Sequence, residues 1–381
     1  MTFRTTRLAA SLMVITVLPA SLHASGNAGP LDLASIGGAA APAAAPIAAA
    51  LAGMSLHQRL GYRAAAKLAA IAADNEHRMR TCRDDGKALA TGVFYGNEYA
   101  LALQEKKETP RFNYLRDRGA FYHGFAPRAF FEPVPCPKSA SGFGACDFRL
   151  KPGQSPSAAI RSIGPRLALM DCSSTVDLAY CAALLEELGD EKFDVLFGSQ
   201  ATLPLRINFL QVGNPIVPLV RLVPEQDPTA RGQIASYDGI PQYALKHLNG
   251  EGGRFNVIIA DAEDPGRERF VGLGLPNAGV DHEGLVQVFV DEYNAPPIGW
   301  DIFTDPLARA IKRTYPPFYL GAVEEMADDT LDRAGFQERG GIRLARRHEF
   351  RAERVQALIH ATPEEGLALL AAWQKETPGL L

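Results

Sequence analysis

No stretch of this 381-residue chain reaches the ~18 uninterrupted apolar residues that a membrane-spanning helix needs. No long run of Lys and Arg occurs either, and the formal net charge is −4, so nothing builds the basic surface that nucleic acid requires. The spacings Cys-x-x-Cys and His-x-x-x-His that announce a zinc site are absent, as is the Gly-x-Ser-x-Gly elbow of serine hydrolases. The "GLG" of Gly272 to Gly274 opens no helix and reads as a tight turn, not a nucleotide-binding loop. No cofactor, metal, nucleic acid or membrane span is therefore expected. Cysteine is scarce as well, at five residues, yet those five carry much of the argument.

What is present is ordinary globular composition, 47% hydrophobic and 22% charged, in a chain long enough for one large domain or two smaller ones. Residues 1–24 have the form of a secretory signal: Arg4 and Arg7, an apolar core from Leu8 to Leu18, Pro19 to break it, and Ala24 as a small residue for cleavage. A periplasmic or secreted location is the expectation. Export favours disulfides, and an odd cysteine count leaves one thiol over. Cys136 and Cys146 bracket a Pro/Gly/Ser loop and are the expected bridge. Cys82 can then pair with Cys181, leaving Cys172, or with Cys172, leaving Cys181 as a buried helix thiol.

Residues 25–53 are Ala/Pro/Gly-rich with almost no charge, a flexible tether. The region 54–150 opens with Leu60, Ala64, Leu68 and Ile71 at helical spacing, which predicts an amphipathic helix over 55–81; short strands and loops follow in its aromatic-rich remainder. The region 151–305 reads as the core. A helix is predicted from Ser173 to Leu188, ended by Gly189, with Ser174 and Asp177 resembling a capping box. The strings "LPLRINFLQV", "PIVPLVRLV", "RFNVIIADA", "RFVGLGL" and "LVQVFVDEY" predict an antiparallel sheet. The region 306–381 reads as a helical extension; within it "RLARRHEFRAER" (343–354) reads as a solvated helix face, and Thr362 with Glu365 marks a helix start.

The stretch "MDCSSTVDLAYCAALLEELGDEKFDVLFG" (170–198) places Cys172 at a helix start behind Asp171. A cysteine is nucleophilic as the thiolate, which helix N-terminal N–H groups favour, and a nearby His or carboxylate supplies the base. With "SAAIRSI" before it, this segment resembles the active-cysteine segment of bacterial spore-coat-type transglutaminases, protein-glutamine gamma-glutamyltransferases on an NlpC-like papain fold. The matching pieces are Ala159–Arg161, Asp171–Cys172, Tyr180 with Ala183–Leu184, and Gly189 to Phe193. Farther on, "GQIASYDGIP", "RFNVIIA" and "FVGLGL" resemble family strands, so the likeness spans about 157–275. Asp171 stands where the family has Glu, Phe255 stands at the glutamate of "GENVI", and the histidine of "FAHGLGI" has no counterpart.

The resemblance implies an α+β fold, with the nucleophile helix packed on an antiparallel sheet and helical segments added at both ends. It also implies thioester chemistry at Cys172 on a glutamine or related amide of a protein or peptide, with an amine or water as acceptor. "KHLNGEGGRFNVI" offers His247 as general base, with Asp171 or Glu251 orienting or charge-pairing the imidazole. His282 is the reserve base; His57, His77, His123, His348 and His360 are read as structural. Two other readings share the fold: a cysteine amidase or peptidase, and a secreted binding protein that has lost catalysis.

Overall fold

The computed structural model describes residue 51 and residues 54–81, 89–117, 124–134, 148–198, 205–207, 214–247, 252–261, 268–276, 279–295 and 328–377. The signal-like segment, all of the tether but Leu51, and Cys82, His123, Cys136, Cys146 and Glu251 lie outside them. The bridge expected between Cys136 and Cys146 therefore falls outside the described residues.

The first helix, α1 (Leu56–Thr81), is the one its spacing predicts. Ser55 and Gln58 cap it reciprocally: the Ser55 N–H donates to Gln58 Oε1 at 2.9 Å, and the Gln58 N–H donates to Ser55 Oγ at 3.3 Å. Leu60, Ala64 and Leu68 are fully buried, one helical face turned inward. There follow β1 (Val93–Phe94), α2 (Gly96–Glu105), α3 (Thr109–Asp117), β2 (Phe131–Pro133), β3 (Phe148–Leu150), α4 (Pro156–Ser162), β4 (Ala168–Leu169), α5 (Cys172–Leu188), α6 (Asp190–Gly198), β5 (Arg206–Ile207), β6 (Val220–Val223) and β7 (Ile234–Asp238). The chain continues through α7 (Tyr243–Lys246), β8 (Arg254–Asp261), β9 (Arg269–Val271), α8 (His282–Asn294), α9 (Arg333–Glu338), β10 (Arg343–Phe350), α10 (Ala352–His360) and α11 (Pro363–Glu376).

The main sheet has five antiparallel strands in the order β6-β10-β7-β8-β9. Strand alternation sorts its residues to two faces. Ile234, Ile258, Val271 and Phe350 face the core shared with α1 and α5. Ala235, Tyr237, Phe255, Val257, Ile259 and Phe270 face a second core, closed by Leu285, Val286 and Phe289 of α8 and Phe336 of α9. Helices thus cover both faces of one sheet, an α+β arrangement in which the cysteine-bearing helix packs on antiparallel strands, as expected.

Four local expectations are corrected. The stretch after α1, expected to hold short strands and loops, also carries the helices α2 and α3, whose Tyr99, Ala102, Leu103 and Leu115 are buried in a small core of their own. "LVQVFVDEY" lies in α8, not in a strand. Leu285, Val286, Phe289, Val290 and Tyr293 are buried at helical spacing, and the Asp281 side chain caps the first turn by accepting the Gly284 N–H at 2.8 Å. "RLARRHEF" is β10, an interior strand and not a solvated helix. Its buried charges are paired: Arg347 Nη2 donates to the carbonyls of Pro224, Glu225 and Asp227 at 3.1, 2.9 and 2.6 Å, and Glu349 accepts from Arg221 Nε at 2.8 Å and Gln233 Nε2 at 3.0 Å. The other described elements after residue 328 are the helices α9, α10 and α11, and Thr362 with Glu365 forms the reciprocal cap that opens α11. Lastly, α5 is capped by Asp171 and not at Ser174, so Cys172 is its first residue.

One backbone contact fixes how α1 meets the sheet. Tyr180 donates its hydroxyl to Gly232 O at 2.7 Å and stacks on Phe350. A Cβ on Gly61 of α1 would lie 2.3 Å from Gly232 Cα, and Gly232 itself has φ of +86°. Both positions need glycine, one for space and one for conformation. Gly61→Ala is expected to push α1 off the start of β7 at a cost of ~1–3 kcal/mol. A lowered denaturation midpoint at unchanged slope is the readout, and an unchanged midpoint would show that this approach is not tight.

Candidate functional site

Chain entry into α5 is held by a short parallel pairing of β1 with β4, which fixes Met170 through a bond from its N–H to Phe94 O at 2.9 Å. Asp171 then takes the N-cap: its Oδ1 accepts the Ser174 N–H at 2.6 Å, and its carbonyl accepts the Thr175 hydroxyl at 2.8 Å. Cys172 follows as the first helical residue, half-buried, with its own N–H and that of Ser173 at the end where a helix has no internal acceptors.

Beneath the sulfur lies β8. Asn256 Nδ2 donates to Cys172 Sγ at 3.1 Å. The other end of that amide, Oδ1, accepts the Ser236 hydroxyl at 2.6 Å, which fixes the amide with its N–H groups toward the sulfur. Two residues along the same strand, Arg254 donates from Nε to Asp238 Oδ1 at 2.6 Å. Its pKa is raised, first by that bond and further by the negative charges of Asp238 and of Cys172 as thiolate. Arg343 reaches the same carboxylate, Nη2 to Oδ2, at 3.3 Å. An amide donor and a nearby guanidinium therefore face Cys172.

Cys181, nine residues on in the same helix, is the internal contrast. It is fully buried, its Sγ lies 3.9 Å from Asp177 Oδ1, and burial, with Asp177 adding to it, pushes its pKa well up. Both cysteines carry thiols, so neither pairing considered for Cys82 is formed. One thiol is inert by burial, and the other stands in the environment of a reactive one.

Of the residues singled out from sequence, Asp171 adjoins Cys172 at the start of α5, and His247 is not brought to the sulfur. Asp171 touches its own helix as a cap. Glu251 lies outside the described residues. His247 caps the end of α7 on the opposite layer: it stacks on Tyr243 at 4.7 Å between ring centres, and its Nε2 lies 3.1 Å from the carbonyl of Tyr293 in α8. Burial lowers its pKa to about 4. Those contacts put the imidazole on the α8 side of the sheet, while Cys172 is on the α1 and α5 side. His282, the reserve, is exposed at the start of α8 on that same far layer. Phe255 also points there, packing edge-on to Phe289 at 5.0 Å, so no side chain at that position faces the sulfur.

Asn256, Ser236, Arg254 and Asp238 are what sequence reasoning missed. The signal was available in strand period: in "RFNVII" and "IASYD" the polar residues Arg254, Asn256, Ser236 and Asp238 alternate with apolar ones and must share a face. Among the described residues, no group of three His, Cys, Asp or Glu side chains is placed to hold a metal ion. No helix among them is long and apolar enough to cross a membrane.

No protein-family model matches the chain. No characterised protein matches it either. Among solved structures it is similar to a transglutaminase from Geobacillus stearothermophilus (without C-terminal extension), at 16% identity, over 44% of this chain and 70% of that one, with a TM-score of 0.33. An overlay this loose fixes neither family nor activity, and what the site can do rests on its own geometry.

Two outcomes are expected. Asn256→Ala should slow iodoacetamide alkylation of Cys172 severalfold near neutral pH, and Asn256→Asp, which swaps a donor for a negative charge, should slow it more; equal rates in all three proteins would remove Asn256 from the site. Separately, His247 and His348 both have pKa values lowered to about 4, chiefly by burial. The unfolded chain binds their protons near 6.5 and the folded chain only near 4, so stability should be full above pH 6.5 and fall as pH drops from 6.5 towards 4. Denaturant midpoints across that range check this, and His247→Gln should flatten the slope.

Proposed function

We propose that this chain is an exported thiol acyl-transfer enzyme acting on the side-chain amide of glutamine, or a related amide, in a protein or peptide. The observation that carries the reading is the Cys172 sulfur: first residue of a 17-residue helix, half-buried, and held by an amide donor at 3.1 Å. The thiol gives its proton to solvent, and the thiolate attacks the amide carbon. The C–N bond breaks, ammonia leaves with a proton taken from solvent, and a thioester remains. An amine then displaces the sulfur to give a cross-link, or water gives the carboxylic acid, and the thiol is restored. The N–H groups heading α5 and the Asn256 amide are the donors available to the oxyanion of the tetrahedral intermediate.

One observation favours a second reading. Asn256, the side chain bonded to the sulfur, cannot accept a proton, so the site lacks at that contact the imidazole or carboxylate that a papain-like enzyme employs. A binding protein that keeps the fold without turnover is the alternative. The two separate in one assay: ammonia release and labelled-amine incorporation with a glutamine-bearing protein, for wild type, Cys172→Ala and Cys181→Ala. The acyl-transfer reading expects both signals in wild type and in Cys181→Ala, reduced at least ~100-fold in Cys172→Ala, the scale of covalent catalysis lost. Ammonia without incorporation means hydrolysis. Full activity in Cys172→Ala ends the reading, and no activity in any protein moves it to the binding alternative.

A further inference from the structure

Helix α5 covers the sheet from the Asn256 row onward, since Cys172 stands over Asn256 while Tyr180 reaches Phe350 and Gly232. The sheet continues past the start of the helix in the other direction. Its next row on that face is Arg343–Asp238–Arg254, cross-strand neighbours on β10, β7 and β8. The Asn256 row is completed by Ser236 and Arg346. Three arginines and one aspartate therefore floor the ground in front of Cys172.

Exposure decides which sign of charge an arriving molecule meets. The Asp238 side chain is 20% exposed and spends one oxygen on Arg254 and the other on Arg343, which are 47% and 78% exposed. Arg346 is exposed, and its side chain makes no hydrogen bond or ion pair to another described residue. Its pKa is lowered, by desolvation and then by the nearby positive charge of Arg254, with the Asp238 carboxylate acting the other way. The chain as a whole is acidic, with net charge −4, so this local excess of two positive charges is not the field of the protein at large.

We propose that these arginines select the acyl donor, and that it is a peptide carrying a carboxylate one to three residues from the reacting amide. The spacing follows from the sheet. Arg254 is two residues, about 7 Å, along β8 from the residue under the sulfur, and Arg346 lies two strands, about 10 Å, across from it. An extended peptide of one to three residues spans that distance. Arg254, fixed to Asp238 beside the thiolate, serves the sulfur; Arg346 is the specificity residue, with Arg343 beside it.

The inference rests on Cys172 being the reacting group, and the test keeps the two apart. Three capped peptides with one glutamine each are compared, differing only in a Glu, Ser or Arg two residues away, on full-length wild type, Arg346→Gln and Arg346→Glu. Ammonia release should favour the Glu peptide over the Ser peptide by about fivefold in wild type, the fold-change of ~1 kcal/mol for one exposed ion pair. Arg346→Gln should bring the ratio towards one, and Arg346→Glu should turn the preference to the Arg peptide. In 1 M salt, where the Debye length is about 3 Å, the wild-type preference should vanish. Equal rates for the Glu and Ser peptides, or a ratio indifferent to Arg346, would overturn the proposal. If no peptide is turned over, the acyl-transfer reading fails, and protection of Cys172 from the uncharged reagent iodoacetamide still decides this one. Protection by the Glu peptide, lost in Arg346→Glu, upholds it; equal protection by all three peptides, or none, rejects it.

Discussion

Strand β10 enters the main sheet between β6 and β7, and the rest of the molecule is arranged around that insertion. Remove it and β6 loses its ladder to the sheet, while β7 becomes an edge with unpaired backbone groups. The strand comes from residues 343–350 and pairs with residues 220–223 and 234–238, so the sheet cannot close until the C-terminal region arrives. Its loop-closure cost has to be met before the pairing returns anything. Burying Arg347 and Glu349 inside such a strand would be costly if either were left alone. The carbonyls of the 224–227 turn and the side chains of Arg221 and Gln233 meet that requirement, and they tie the β6–β7 connection to the inserted strand.

The period-two alternation of β8 then divides the chemistry. Arg254, Asn256 and Ile258 face α1 and α5; Phe255, Val257 and Ile259 face α8. A residue one position along is not a near miss but a full sheet thickness away. That is why His247 and Phe255 share the apolar layer with Phe289 while the sulfur rests on an amide. The same economy runs through α5, where one helix carries a thiol at its exposed start and another at its buried middle, and position alone gives them opposite characters.

Local signals in the sequence are decisive where one physical cause dominates. Leu60, Ala64 and Leu68 fix the face of α1, and "TPEE" with its reciprocal cap fixes the start of α11. β8 and β9 fell in strings that look like strands because they are buried on both sides. Reading failed where two causes competed. "LVQVFVDEY" satisfies both a strand-like alternation and a helical spacing, and the capping Asp281 decides it. "RLARRHEF" has the charge of a surface segment, and only partners more than a hundred residues distant in sequence make it a strand. The nucleophile candidate was legible because a helix start is local. Its surroundings were not, because Asn256, Ser236 and Arg346 meet only through strand pairing.

What surrounds the sulfur constrains what it can do. The Asn256 amide donates to the Cys172 sulfur, and the Arg254 cation lies nearby. Donors hold a thiolate and receive an oxyanion, but they take no proton from an incoming amine or water. In the acyl-transfer reading proposed above, the amide at the sulfur supplies no base for the incoming group. Binding must then compensate, by holding the amide against the sulfur and excluding alternatives. The proposed recognition by the arginine row draws on the geometry of Asp238, which anchors both Arg254 and Arg343. One carboxylate thus ties the arginine nearest Cys172 to the exposed end of the row.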